Sequence, residues 1–294
     1  MEIFGISLQG LLSQLLLGLV NGSFYAILSL GLAVIFGLLN VINFAHGALF
    51  MMGAVVTWMA MNYFGISYWV MLIVAPLIVG VLGVVLERLL LRWIYKLDHL
   101  YGLLLTLGLT LLIEGVFRSA YGVSGLGYDT PDLLTGGTNL GFMFLPNYRA
   151  WVVVVSITVC FATWFVIEKT KLGAYLRAGT ENPRLVEAFG VNVPVMVTLT
   201  YAFGAALAAF AGVLSAPIYQ VSPLMGQNLI IVVFAVVVIG GMGSIMGSIL
   251  TGLGLGVIEG LTKVFYPEAS STVVFVIMVL VLLVRPAGLF GKEN

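Results

Sequence analysis

Charge is what this chain lacks most. Charged residues make up 8% of its 294 positions and hydrophobic ones 61%, whereas soluble domains carry about 25% charged residues. Too little charge is present to cover a water-facing surface, so a soluble fold is excluded and an integral membrane protein is indicated. Twelve basic and twelve acidic residues leave no net charge, and the basic ones cluster on loops instead of forming one surface, so no nucleic-acid footprint is present. The single cysteine, Cys160, lies in an apolar run; no internal disulfide can form and the redox compartment stays unread. Catalytic signatures are missing as well. The sequence holds no G-x-S-x-G elbow, no H-E-x-x-H and no G-x-x-x-x-G-K-[ST] phosphate loop, which gives no enzyme reading and no nucleotide site on this chain.

Long apolar runs are what the sequence has instead. A bilayer core of about 30 Å needs roughly 20 apolar residues per helical crossing. Such runs lie at about 11–39, 45–64, 68–87, 101–122, 148–167 and 197–217, with shorter ones at about 228–243, 246–264 and 272–285. The blocks are continuous, unlike the alternating segments of about ten residues that build membrane barrels. The expected fold is therefore all-α: a polytopic helical membrane protein of about 8–10 transmembrane segments, including broken or re-entrant helices. Residues 11–39 would extend about 43 Å as one helix at 1.5 Å per residue, so this run is expected to tilt, kink or cross incompletely. It is too long for a signal h-region and has no basic n-region, and is expected to be retained.

Basic residues set the orientation. Arg88, Arg92 and Lys96 fall between two runs, Lys169, Lys171, Arg177 and Arg184 between two others, and Arg285 and Lys292 follow the last, placing nine of the twelve on one self-consistent side. That side is the cytoplasm by the positive-inside rule, and the C-terminus lies there. The segment 123–147, with Asp129, Asp132 and several glycines, faces outward.

Several runs are interrupted by polar or glycine-rich pieces. Asn21-Gly22-Ser23 falls inside the first run, Asn40 and Asn43 with His46-Gly47 join the first two, and Gly240-Gly241-Met242-Gly243-Ser244 splits the apolar stretch near 240. Backbone groups freed by a break cannot face lipid and must be buried in protein or line an aqueous cavity. Paired discontinuous helices mark the pathway in many transporters, so Asn21, Ser23, Asn43, His46, Gly240, Gly241, Gly243 and Ser244 are the candidate pathway residues. The pieces INFAHGALFMMGA and IGGMGSIMGSILT fall one in each half, a weak hint of internal duplication. Close helix packing explains Gly243 with Gly247, or Gly252 with Gly256, equally well. His46 reads as a residue at a helix start, with no second His or Cys at metal-ligand spacing. Glu114 with Arg118 and Glu259 with Lys263 are i, i+4 pairs inside runs; intramembrane charge is a functional candidate, and self-pairing is its structural alternative.

The polar segment 168–196 contains a helix with its own start and stop. In TENPRLVEAFG, Asn182 can cap, Pro183 suits the first helical position and Gly190 can take the left-handed turn that ends it. So short a helix is not stable alone in water. Leu185, Val186 and Phe189 give it an apolar side flanked by Arg184 and Glu187, a surface suited to a partner.

The runs NGSFYAILSLGLAVIFGLLNVINFAHGALFMMGA at 21–54, LGAYLRAGTENPRLVEAFGVNV at 172–193 and VIGGMGSIMGSILTGLGLG at 238–256, with the closing PAGLF at 286–290, resemble the membrane permease of branched-chain amino acid ABC importers across nearly the whole chain. The resemblance implies one permease domain over 1–294, with 168–196 a cytoplasmic coupling loop and 123–147 a periplasmic one. It implies a bacterial inner-membrane protein that pairs with a second, homologous permease, two cytoplasmic ATP-binding subunits and a periplasmic substrate-binding protein, and that holds no cofactor because its partners bind the ATP. Glu181, Asn182, Pro183, Arg184, Leu185, Val186, Phe189 and Gly190 would then form the coupling helix against the ATPase. Permeases for urea, short amides and other small carboxylates share the pattern. A rival of another class is a gradient-driven carrier using Glu114 or Glu259.

Overall fold

The computed structural model describes residues 2–3, 6–39, 41–95 and 97–291. Asn40, Lys96 and Lys292, used above, lie outside the described residues. The helices are α1 (Leu8–Leu39), α2 (Ala45–Phe64), α3 (Tyr68–Leu89), α4 (His99–Tyr121), α5 (Asn147–Lys169), α6 (Lys171–Glu181), α7 (Pro183–Ala188), α8 (Val193–Ser215), α9 (Met225–Gly240), α10 (Ile245–Phe265) and α11 (Val273–Val284). Among the described residues, seven are long and apolar enough to cross a membrane, and α9 and α11 are shorter apolar helices. The protein is a polytopic helical membrane protein, as its continuous apolar runs require.

Two small antiparallel hairpins complete the fold. Glu2–Ile3 (β1) pairs with Ile6–Ser7 (β2), and Gly137–Asn139 (β3) with Phe144–Pro146 (β4) inside the 123–147 segment. The chain divides into two compact units, one of residues 1–29, 129–160 and 232–294, the other of residues 30–128 and 161–231.

In the first unit, α1 crosses α10 antiparallel with their backbones almost touching. A Cβ on Gly256 would stand 2.3 Å from Gly22 Cα, and one on Gly18 only 2.4 Å from the Gly256 carbonyl oxygen. Small residues every fourth position on α10 (Gly252, Gly256, Gly260) permit this approach, the packing expected of membrane helices that have no hydrophobic effect to join them. The packing reading of Gly252 and Gly256 is the one the structure bears out.

The first run contains no break. Residues 8–39 form one continuous helix straight through Asn21-Gly22-Ser23, contrary to the sequence expectation. Ser23 turns its hydroxyl back to the Leu19 carbonyl at 2.8 Å, which satisfies its polar atom without disturbing the helix. Gly22 meets Leu253 of α10. The polar triplet is a packing surface within an intact helix.

In the second unit α8 is the central helix, packed antiparallel on α2 and α3. Phe50 of α2 meets Gly212 and Gly53 meets Ala209, while Gly83 of α3 faces Ala205. Most of α8 is buried, Tyr201 and Leu214 fully. By contrast α3 and α4 leave Ile73, Leu77, Leu104 and Leu112 more than half exposed, as spans facing lipid would.

Candidate functional site: a capped loop helix and two breaks

The segment 168–196 folds as two helices, not one. Before the expected short helix lies α6, an amphipathic helix that begins after Thr170 and places Leu172 and Leu176 over an apolar cavity of about 280 Å³ with Val34, Ile167 and Met196 on the other walls. Arg177 fastens α6 to the end of α5, donating to the Ile167 carbonyl at 3.2 Å and to Glu168 at 3.3 Å. The next helix, α7, matches the sequence reading closely. Asn182 accepts from the Leu185 amide at 3.1 Å, Pro183 opens the helix, and Gly190 adopts φ +84° after it. Asn192 repeats the cap at the start of α8, accepting from the Val195 amide at 3.1 Å.

Two details differ from expectation. Glu181 ends α6, on the far side of Asn182 from α7. Of the three apolar residues, Phe189 is 79% and Leu185 54% exposed, whereas Val186 is 6% exposed and faces the protein. A helix this short is held by Val186, leaving only Leu185 and Phe189, beside exposed Arg184 and Glu187, to meet another molecule.

Two breaks remain as candidates for the pathway. In the second unit, residues 41–44 join α1 to α2; Asn43 and His46 are fully buried, and His46, the second residue of α2, lays its ring against Gly31. The Phe44 amide donates to Thr106 of α4 at 3.1 Å, the Thr106 hydroxyl has the Ile42 carbonyl at 3.2 Å and the Gly102 carbonyl of its own helix at 2.9 Å as acceptors, and the Asn43 carbonyl accepts from the His46 amide at 3.3 Å. The irregular backbone is thus satisfied within protein, the condition for its survival at membrane depth.

In the first unit, α9 stops at Gly240 and α10 starts at Ile245. Gly241 and Gly243 take φ +98° and +83°, a region side chains with a Cβ rarely adopt. Gly243 is therefore a turn residue, not a packing one. Ser244 caps α10, accepting from the Gly247 amide at 3.1 Å. The PAGLF segment docks on this turn: the Leu289 amide donates to Ile239 at 2.8 Å and the Phe290 amide to Gly240 at 3.2 Å, supplying partners for carbonyls that a helix end leaves open.

The structure thus places Gly240, Gly241, Gly243 and Ser244 together with Asn21 and Ser23 in the first unit, and Asn43 with His46 in the second. The two carboxylates named from the sequence diverge. Glu259 on α10 contacts Lys263 at 2.6 Å and also accepts from Tyr25 of α1 at 2.7 Å. Glu114, 4% exposed, forms no ion pair with Arg118 among the described residues, and its Oε1 has no hydrogen-bond partner there; the i, i+4 spacing did not produce the expected contact.

Comparison with known proteins decides the family. The family model described as branched-chain amino acid transport system / permease component matches residues 14–282. The chain belongs to this family. Among its relatives are the high-affinity branched-chain amino acid transport system permease protein LivH of Salmonella typhimurium and BraD of Pseudomonas aeruginosa, each 30% identical over 96% of both chains. A more partial likeness, 31% identity over 54% of this chain and 48% of the relative, joins it to the galactofuranose transporter permease YtfT of Escherichia coli. No solved structure matches the chain. The permease family match covers both breaks, the two loop helices and most of α11.

Within this permease the sequence reading passed over Glu87, Tyr25, Thr198 and Tyr201, all of which bind polar partners in the interior. Glu87 carried a usable signal: a carboxylate inside the apolar run VLERLLL is an intramembrane charge by position. The three hydroxyl residues carried none, because their partners lie far away in sequence.

Proposed function

We propose that the chain is the membrane-spanning permease of an ATP-driven importer of branched-chain amino acids in a bacterial inner membrane. The energy comes from two cytoplasmic ATP-binding subunits, a second homologous permease completes the membrane portion, and a periplasmic binding protein delivers the solute. The loop 168–196 and the C-terminus face the cytoplasm, in keeping with their basic residues, and 123–147 faces the periplasm. The observation that carries this reading is α7: a self-capped helix outside the spans whose Phe189 is 79% exposed, on a chain without a nucleotide-binding motif. In this reading closure of the ATPase pair displaces α6 and α7, α8 moves with them from its Asn192 cap, and the spans packed on α8 expose the solute path to alternate faces. Differential affinity for the two states is what drives the cycle.

The substrate class follows from end-to-end relatives whose names specify branched-chain amino acid transport. No lysine or arginine lies among the candidate pathway residues to hold a substrate carboxylate, consistent with recognition resting mainly with the binding protein. Purification of the intact complex, with its bound small molecule identified, tests the proposal. ATP-binding subunits and leucine, isoleucine or valine are expected; a complex holding urea, an amide or a sugar would reassign the substrate, and the absence of any ATP-binding subunit would remove the importer reading.

A further inference from the structure

Glu87 stands in the last turn of α3 and is 2% exposed. Two hydroxyls reach its carboxylate: Thr198 of α8 at 2.7 Å, through Oε2, and Tyr95 at 3.0 Å, through Oε1. Among the described residues no cation forms an ion pair with it. The Thr198 bond is a direct, buried polar tie between α3 and α8. One turn further along α8, the Tyr201 hydroxyl accepts from Asn43 Nδ2 at 3.2 Å. Tyr201 is 1% exposed and packs with Ile35 and Leu91. Two adjacent turns of α8 therefore hold α3 and the α1–α2 break, and α8 itself begins directly after the α6–α7 loop.

Thr198 has a second acceptor. Its hydroxyl lies 3.0 Å from the Pro194 carbonyl on its own helix, and one hydroxyl proton serves only one acceptor at a time. The hydroxyl thus has two acceptors in reach from one side-chain position, and only the shorter bond, to Glu87, ties α8 to α3. Turning that proton to Pro194 would leave the buried Glu87 Oε2 without this donor, so the bond to Glu87 is the arrangement that satisfies both side chains.

We propose that Glu87 is a positioning residue that makes α8 a lever between the ATPase-facing loop and the Asn43 break. With Thr198 bound to Glu87, the base of α8 moves with α3 and carries Tyr201 and Asn43 with it; without that bond less of the loop's displacement reaches the Asn43 break. The inference rests on the importer reading above and adds to it the residues that transmit the movement.

The test uses the complete importer, with its partner permease, ATP-binding subunits and binding protein, in proteoliposomes, and measures leucine moved per ATP hydrolysed. Thr198→Val keeps the shape and removes the donor; the ratio is expected to fall about tenfold, the scale of one buried hydrogen bond acting on a single state. Thr198→Ser restores the hydroxyl and should restore the ratio. The double variant Glu87→Ala with Thr198→Val should be no worse than Glu87→Ala, since residues acting as a unit do not add. A merely structural role would lower the yield of complex and leave the ratio per assembled complex unchanged. An unchanged ratio in Thr198→Val overturns the proposal, as does an unchanged ratio in Tyr201→Phe should Thr198→Val not assemble. Wild-type complex that moves no leucine on ATP would overturn the importer reading itself, a result distinct from intact transport with indifferent variants.

Discussion

The backbone amide of Leu289 donates to the carbonyl of Ile239 at 2.8 Å, so the final segment of the described chain completes a helix that its own next residues cannot. Gly288, at φ +82°, is what lets the chain pass: a Cβ there would lie 2.6 Å from Gly241. Gly288→Ala should therefore destabilise by about 1–3 kcal/mol, combining backbone strain with the lost contact. A lowered unfolding temperature in detergent checks this, and an unchanged one would show that the tail does not hold the turn.

The α1–α10 crossing gives a prediction in which neighbouring glycines respond with opposite signs. Gly256 lies against Gly22, while nothing stands within 4 Å of a Cβ on Gly254. Gly254→Ala should stabilise by up to about 1 kcal/mol through helix propensity alone. Gly256→Ala should destabilise, because the helices must separate. Thermal unfolding of the two purified variants decides it; equal shifts would mean that the crossing is not close.

Legibility from sequence followed the range of the interactions. The α7 helix could be read because Asn182, Pro183 and Gly190 act on their immediate neighbours. The spans could be read because lipid demands continuous apolar helices. At Asn21-Gly22-Ser23 the reading failed: a polar triplet suggests a break only until Ser23 is seen to bond Leu19 and Gly22 to lie against α10. Glu114 failed in the same manner, since i, i+4 spacing permits a contact with Arg118 without creating it. The clamp joins Glu87 to Thr198 across 111 positions, and Tyr25 meets Glu259 across 234. No local pattern encodes such pairs; they exist because helices far apart in sequence are packed together.

Orientation can be read by chemical labelling. Cys160 is buried, so single cysteines placed at exposed positions report alone. A cysteine replacing Ala178 in α6 should react only from the cytoplasm, and one replacing Leu133, 80% exposed, only from outside. Labelling of both from one face would reverse the assignment of these loops.

Exposure separates the two apolar residues at the end of α7. Phe189→Asp should leave the purified permease folded and reduce co-purification of the ATP-binding subunits at least tenfold, because an exposed aromatic at the centre of a contact carries much of its energy. Val186→Asp places a charge where the side chain is 6% exposed and should lower the yield of folded permease as well. If Phe189→Asp retained its partners in full, the α7 surface would not be the docking site.

The most direct measurement of the central claim, that this chain takes its energy from partner subunits, is solute accumulation in proteoliposomes made with and without those partners. Glu259 already has two partners inside the protein, Lys263 at 2.6 Å and Tyr25 at 2.7 Å, which leaves it tied within the helix pair α1–α10. The account predicts leucine accumulation only when the partner permease, ATP-binding subunits, binding protein and ATP are all present, and none by the purified chain under a proton or sodium gradient. Gradient-driven accumulation by the chain alone, abolished by Glu114→Gln, would contradict it and establish a carrier.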